Sequence, residues 1–140
     1  MTKILALDDR EDYLRALRGV LQGEFEVVTA RSVQEAQAAF NETVKVALVD
    51  VRLSEEDETN REGVTFLRWA KQRFPTTPVV MMSAYRDFDA VVEALNLGAD
   101  YFLRKPIELR ELKSLLREFA EHGAMPEKTA ELKRRMERER

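Results

Sequence analysis

Cysteine is absent from the 140 residues, which excludes disulfides, thiolate metal sites and cysteine nucleophiles and suits a reducing compartment. There is a single histidine, His122. Its place after the last apolar helix pattern makes it a solvated helix-end residue that favours the dipole, not a metal ligand or a phosphodonor. Long hydrophobic runs are missing too: the apolar start at residues 1–7 is too short for a signal peptide, and no stretch approaches membrane-spanning length. A cytoplasmic protein with no membrane partner is expected. Neither sign of charge dominates, and a net charge of -3 spread along the chain gives no overall case for nucleic acid, whose binders carry a basic excess on one face. Internal repeats and low-complexity segments are also lacking. What remains is 44% hydrophobic and 35% charged, enough for one domain with a proper core and a heavily charged surface.

The apolar pattern alternates between two periods. Residues 4–7 form an apolar run that stops on Asp8-Asp9, and a helix with Leu14, Leu17, Val20 and Leu21 on one face follows and closes at Gly23. Residues 25–29 read as a strand, and Ser32-Val33-Gln34-Glu35 as a capping box opening a helix that buries Val33, Ala36 and Phe40. Lys45-Val46-Ala47-Leu48-Val49-Asp50 is a valine-rich strand buried on both faces. A polar stretch, residues 54–62, precedes a helix carrying Val64, Leu67, Ala70 and Phe74, with Phe66 and Trp69 at its margin. Residues 78–82 form a fourth strand ending on Ser83. Phe88, Val91, Val92 and Leu95 stripe a fourth helix that stops at Gly98. Residues 100–103 form a short fifth strand, and Leu112, Leu115, Leu116 and Phe119 stripe a fifth helix. Strand–helix alternation five times over implies an α/β fold with right-handed crossovers and a parallel sheet covered on both faces.

In such sheets ligands bind outside the carboxyl ends of the strands. The first strand delivers Asp8 and Asp9 to that edge, the third Asp50, the fourth Ser83 and the fifth Lys105. Taken singly, each is a turn residue. Together, three carboxylates repel one another unless cations sit among them. Lys105 supplies one positive charge, and a hard divalent ion such as Mg²⁺ supplies the rest, since it favours carboxylate, water and phosphate oxygens. A carboxylate so placed, with a hydroxyl and an ammonium nearby, is equipped to attack phosphorus.

The motifs Ile4-Leu5-Ala6-Leu7-Asp8-Asp9, Leu48-Val49-Asp50-Val51-Arg52-Leu53, Met81-Met82-Ser83-Ala84 and Gly98-Ala99-Asp100-Tyr101-Phe102-Leu103-Arg104-Lys105-Pro106 resemble the receiver domain of bacterial two-component response regulators. The resemblance covers residues 2–121. It implies a flavodoxin-like (βα)5 doubly wound fold with a five-stranded parallel sheet of order 2-1-3-4-5. It implies that Asp50 accepts a phosphoryl group from a sensor histidine kinase or phosphotransfer protein. Mg²⁺ (or Mn²⁺) would be held by Asp9, Asp50 and the backbone carbonyl of Arg52, with Asp8 acting through a bound water. Ser83 and Lys105 would bind phosphoryl oxygens, Phe102 would swing inward as a switch, and the Lys105–Pro106 bond would be cis. An output domain or partner would read the switched surface.

Two departures stand out. Ser54 replaces a usual proline, and the glycine expected eight residues after the aspartate is Gly63, thirteen after it, so the acidic loop at residues 54–62 is about five residues too long. A solvated loop is the plain reading, and partner choice the alternative. Tyr85, two residues past Ser83, is placed to shield the in-line path of water and slow dephosphorylation. Glu93, Asp100, Arg104, Arg110, Glu111 and Arg117 make a mixed-charge set on a face that is often dimerising in receivers, with a solvated face as the default. Gly123 and Pro126 mark a boundary, giving a receiver domain at residues 1–121 and a charged helical tail or linker at 122–140 that lies outside the core. Met125, Thr129, Leu132 and Met136 fall at helical spacing there, too few to call a coiled coil, and interleaved glutamates argue against direct nucleic-acid binding.

Three rival readings compete. Phosphatases resembling haloacid dehalogenases carry a second aspartate two residues after the nucleophile, where this chain has Arg52. A binding module independent of phosphorylation does not need the five filled positions. A flavin-binding domain needs a phosphate-cradling glycine loop in place of Asp8-Asp9-Arg10-Glu11.

Overall fold

The computed structural model describes residues 1–140 apart from Glu55, Glu58, residues 85–87 and Arg140; the expectation for Tyr85 lies outside the described residues. The elements run β1 (Thr2–Leu7), α1 (Glu11–Leu21), β2 (Phe25–Ala30), α2 (Val33–Ala39), β3 (Val44–Asp50), α3 (Glu62–Arg73), β4 (Val79–Ser83), α4 (Phe88–Asn96), β5 (Tyr101–Arg104), α5 (Leu109–His122) and α6 (Pro126–Glu139). The strands form one five-stranded sheet in the order β2-β1-β3-β4-β5, parallel throughout. The predicted fold and strand order are those observed.

Successive strand residues point to opposite faces, and the core divides accordingly. Ile4, Ala6, Val46, Leu48, Val80 and Met82 meet α1 and α5 on one side. On the other, Leu5, Leu7, Ala47, Val49, Val79 and Met81 meet α2, α3 and α4. That two-sided demand is why β3 reads as a nearly unbroken apolar run. Positive φ at Gly23 and Gly98 (93° and 103°) ends α1 and α4 as their positions predict.

Ser32 caps α2, its Oγ accepting the Glu35 N–H at 3.1 Å. The Glu35 carboxylate reaches back to the Arg31 N–H at 2.8 Å, one residue earlier than in a standard capping box. Ser32→Ala is expected to cost about 1 kcal/mol in a urea melt, while Ser32→Asp should restore most of it; equal stability of all three proteins would remove the cap from the account.

Four expectations about packing are corrected. Phe66 is fully buried, because α3 lies against α2 and brings the ring within 5.8 Å of Phe40; Trp69 stays half-buried at the margin. Val20 is exposed on α1. Asp100 is buried rather than on a solvated face: it pairs with Lys71 Nζ at 2.7 Å and accepts the Val79 N–H at 2.8 Å, tying α3, β4 and β5 together. Lastly, the segment after the boundary is not outside the core. Leu132 and Met136 of α6 are 4% and 7% exposed and join the cluster that holds Val91 and Leu95. His122 is exposed in the last turn of α5, as expected. None of the helices, among the described residues, is long and apolar enough to cross a membrane.

Candidate functional site

The parallel register brings β1, β3, β4 and β5 to one edge, Asp50 opposite Met82 and Ser83 opposite Arg104. Asp8, Asp9 and Asp50 each place a carboxylate oxygen within 4.8 Å of the other two. Asp8 is fully buried; one oxygen accepts the Arg10 N–H at 2.9 Å and the other the Lys105 ammonium at 2.7 Å. Lys105 Nζ also donates to Asp50 Oδ2 at 3.3 Å, so one cation lies between two carboxylates from different strands. The Asp9 carbonyl accepts both Arg31 Nε and Nη2, at 3.2 and 3.0 Å, which fixes the turn between β1 and α1. The Lys105–Pro106 bond is cis, as predicted.

One ammonium among three carboxylates leaves an excess of negative charge. Burial, opposed by Lys105 and reinforced by Asp8, pushes the Asp50 carboxyl up from 3.8 to about 7. Burial also weakens the Lys105 ammonium, but Asp50 and Asp8 outweigh it and hold its pKa above the usual 10.5. A clustered set of hard oxygen donors with excess negative charge fits Mg²⁺ or Mn²⁺ and suits no soft metal.

Ser83 is buried at the end of β4. Its Oγ donates to the Ala84 carbonyl at 2.9 Å, and its own carbonyl accepts the Lys105 N–H at 2.8 Å, linking the β4 and β5 ends. The backbone N–H of Arg52 partly offsets the upward shift of the Asp50 carboxyl. Phe102 lies three residues before Lys105, half-buried against the α3–α4 cluster.

Three contributors escape a reading by strand ends. Tyr13 of α1 lays its ring 4.1 Å from Lys105 Nζ, a cation–π contact that positions the ammonium, and burial holds its phenol above the usual 10. An aromatic residue one turn before Leu17, at the amino end of a helix leaving the strand edge, was the available signal. Gly63 is the second: its N–H donates to the Val51 carbonyl at 3.0 Å, and a Cβ there would lie 1.8 Å from the Asp50 carbonyl oxygen. Asn60 is the third. Its Oδ1 accepts the N–H groups of Leu53 and Glu62 at 2.9 and 3.0 Å, closing the long loop on itself and capping α3, whose Arg61 gives no side-chain cap. The loop's Glu56 and Asp57 are exposed.

The family model of the response regulator receiver domain matches residues 4–117. The chain is 35% identical over 117 residues to the response regulator protein PilR of Pseudomonas aeruginosa, covering 81% of this chain and 25% of that protein. To the transcriptional regulatory protein ZraR of Escherichia coli it is 33% identical over 121 residues, covering 85% and 26%. It thus spans about a quarter of the length of these curated relatives. Because ZraR is a transcriptional regulatory protein by name, the expectation of no nucleic-acid contact gains no support from the relatives. A receiver domain protein from Clostridium thermocellum superposes with a TM-score of 0.78 at 26% identity, over 86% of this chain and 95% of that one. The receiver domain of NtrX from Brucella abortus (TM-score 0.74, 29% identity) covers 85% of this chain and 98% of its own. The ADP-bound structure of NtrX (TM-score 0.74, 29% identity) covers 99% of this chain and 30% of its own. With its parallel sheet in the order 2-1-3-4-5, its acidic edge and a family match over most of its length, this chain belongs to the response regulator receiver domains.

Proposed function

We propose that Asp50 accepts a phosphoryl group from a phosphohistidine on a sensor histidine kinase or phosphotransfer protein, with Mg²⁺ (or Mn²⁺) bound beside it, and that the altered edge switches a surface read by an output domain or partner. The observation that carries this reading is the Asp50 carboxylate at the end of β3, 3.3 Å from the Lys105 ammonium and inside a cluster of three carboxylates. Asp9, Asp50 and the Arg52 carbonyl would hold the metal, with Asp8 acting through a water. The bound ion supplies charge neutralisation for incoming phosphoryl oxygens and keeps Asp50 ionised.

Asp50 is the nucleophile. An Oδ–P bond forms as the donor's P–N bond breaks, and the departing imidazole nitrogen takes up a proton. Lys105, already held by Asp8 and by the Tyr13 ring, pairs with a phosphoryl oxygen once Asp50 is esterified. Ser83 gives up its bond to the Ala84 carbonyl to donate to a second oxygen, and Phe102 follows into the space released. Arg52 offers no carboxylate to act as acid and base on a separate substrate, so the chain works as a phosphoacceptor that promotes only its own phosphorylation and dephosphorylation.

Mass spectrometry of the intact protein after incubation with acetyl phosphate and Mg²⁺ tests this. One added phosphoryl group is expected, lost in Asp50→Ala and reduced by chelation of the metal. No adduct on the intact protein would favour a phosphorylation-independent binding module, and sustained phosphate release from assorted small substrates would favour a phosphatase.

A further inference from the structure

The helix after the boundary sits on the face formed by α4 and β5. Its attachment is slight. Of the fourteen residues in α6, Leu132 and Met136 are the buried ones, and Thr129 Oγ1 donates to the Asp100 carbonyl at 2.5 Å. Further ties lie at the rim: Lys128 lies 5.6 Å from the Tyr101 ring and 3.7 Å from the Glu118 carboxylate of α5, and Arg135 Nη2 is 3.4 Å from the Tyr101 hydroxyl. A helix this short is marginal in isolation and depends on its docked face.

Grooves open to solvent flank the seam. A cavity of about 280 Å³ opens between β5 and α6, lined by Phe102, Arg104, Glu111, Leu132 and Met136 among others. A smaller one, about 70 Å³, lies where Met136 meets Phe88, Val92 and Leu95 of α4. Met136 therefore touches both gaps, and Phe102 has room to move on the side that α6 covers. Through the backbone, Phe102 is three residues from Lys105, whose N–H is bonded to Ser83.

We propose that α6 is a detachable cap whose docking on the α4–β5 face is coupled to the state of Asp50, docked when Asp50 is unmodified and released when it carries a phosphoryl group. The coupling rests on the phosphorylation reading above. A phosphoryl group that draws Ser83 and Lys105 toward itself pulls on the β4 and β5 ends and displaces Phe102. The surface that Leu132 and Met136 fit then changes shape, and a helix with two buried side chains, one hydrogen bond and a few rim contacts loses its seat. The effect is reciprocal, because a ligand that favours the undocked state is itself favoured by undocking.

Hydrogen exchange on the full chain with and without beryllofluoride and Mg²⁺, a mimic of the phosphoryl group, tests the cap. Amides of residues 129–138 are expected to exchange at least about fivefold faster with the mimic bound, while α2 is unchanged. In a second arm, Leu132→Gln combined with Met136→Gln, which undocks α6 directly, is expected to take up phosphoryl groups from acetyl phosphate at least about fivefold faster than wild type. If Asp50 gains its adduct but α6 exchange is unchanged or slower with the mimic, the cap alone is overturned. If Asp50 gains no adduct, the phosphoacceptor reading falls and takes the cap with it.

Discussion

Asp50→Asn is expected to make the metal-free protein about 2 kcal/mol more stable than wild type at about pH 7.5, and no more stable at about pH 4. In the folded protein the Asp50 carboxyl keeps its proton until about 7, against 3.8 when exposed. Between those values the unfolded chain binds fewer protons than the folded one, so stability falls as pH rises and levels off above 7. A rise from 3.8 to about 7 corresponds to about 4 kcal/mol. The buried amide of asparagine carries its own desolvation cost of about 1–3 kcal/mol, which leaves about half. Lys105 does not blur the comparison in this window: its pKa is raised, so its contribution is constant below 10.5 and is lost only as pH rises through the folded value. Urea melts of both proteins across pH 4 to 8 give the difference directly, and parallel curves would remove Asp50 as the source of strain.

Metal should reverse the order. A ligand at a hundredfold excess over its Kd stabilises the folded state by about 2.7 kcal/mol, and Mg²⁺ answers the same carboxylate repulsion that asparagine relieves. Wild type is therefore expected to gain stability with Mg²⁺ and Asp50→Asn to gain much less. Under the proposed function the site is built at a cost to the fold: a buried Asp50 among like charges would be held ready for a cation and a phosphoryl group, the usual trade between stability and function.

The sheet edge was legible because it is written in one short code. An apolar run that ends on a carboxylate, hydroxyl or ammonium marks both the strand and its carboxyl end, and Asp8, Asp9, Asp50, Ser83 and Lys105 are all placed by it. Tyr13 leaves only the faint signal of an aromatic residue at the amino end of α1, and Asn60 leaves none, since each acts from a helix turn or loop whose position relative to Lys105 or α3 is set by packing, not by periodicity. Asp100 was misplaced for a related reason. A charged residue at a strand's start is normally solvated, and the approach of Lys71 from α3 to 2.7 Å, with the Val79 N–H at 2.8 Å, makes its burial tolerable. The burial of α6 was missed because a stripe of Leu132 and Met136 amid so many charges carries little hydrophobic signal by itself. It acquires meaning once α4 and β5 present Phe88, Val92 and Phe102 beside it.

Two glycines at helical positions should respond to alanine in opposite directions. Gly63→Ala is expected to cost roughly 3 kcal/mol or more, and Gly19→Ala to stabilise by up to about 1 kcal/mol. A Cβ on Gly63 would sit 1.8 Å from the Asp50 carbonyl oxygen and 2.9 Å from Val51 Cα. Both are main-chain atoms, so no rotamer change relieves the overlap. Either α3 retreats and breaks the Gly63–Val51 hydrogen bond, or the end of β3 shifts and carries the Asp50 carboxylate away from Lys105. In either case the damage reaches the site, and phosphorylation by acetyl phosphate should slow by at least about tenfold, because misplacing a reacting group by about 1 Å costs on that scale or more. Gly19 lies in the last turn of α1 with nothing within 4 Å of its would-be Cβ, so alanine there changes only backbone entropy and helix propensity. Gly63→Ala melting within about 0.5 kcal/mol of wild type would break the link between the long loop, the start of α3 and Asp50. The same contact explains how the loop at residues 54–62 lengthens without disturbing the edge: the extra residues are closed off by Asn60 before the chain reaches Gly63, and it is Gly63, wherever it falls in the sequence, that must lie on the Asp50 backbone.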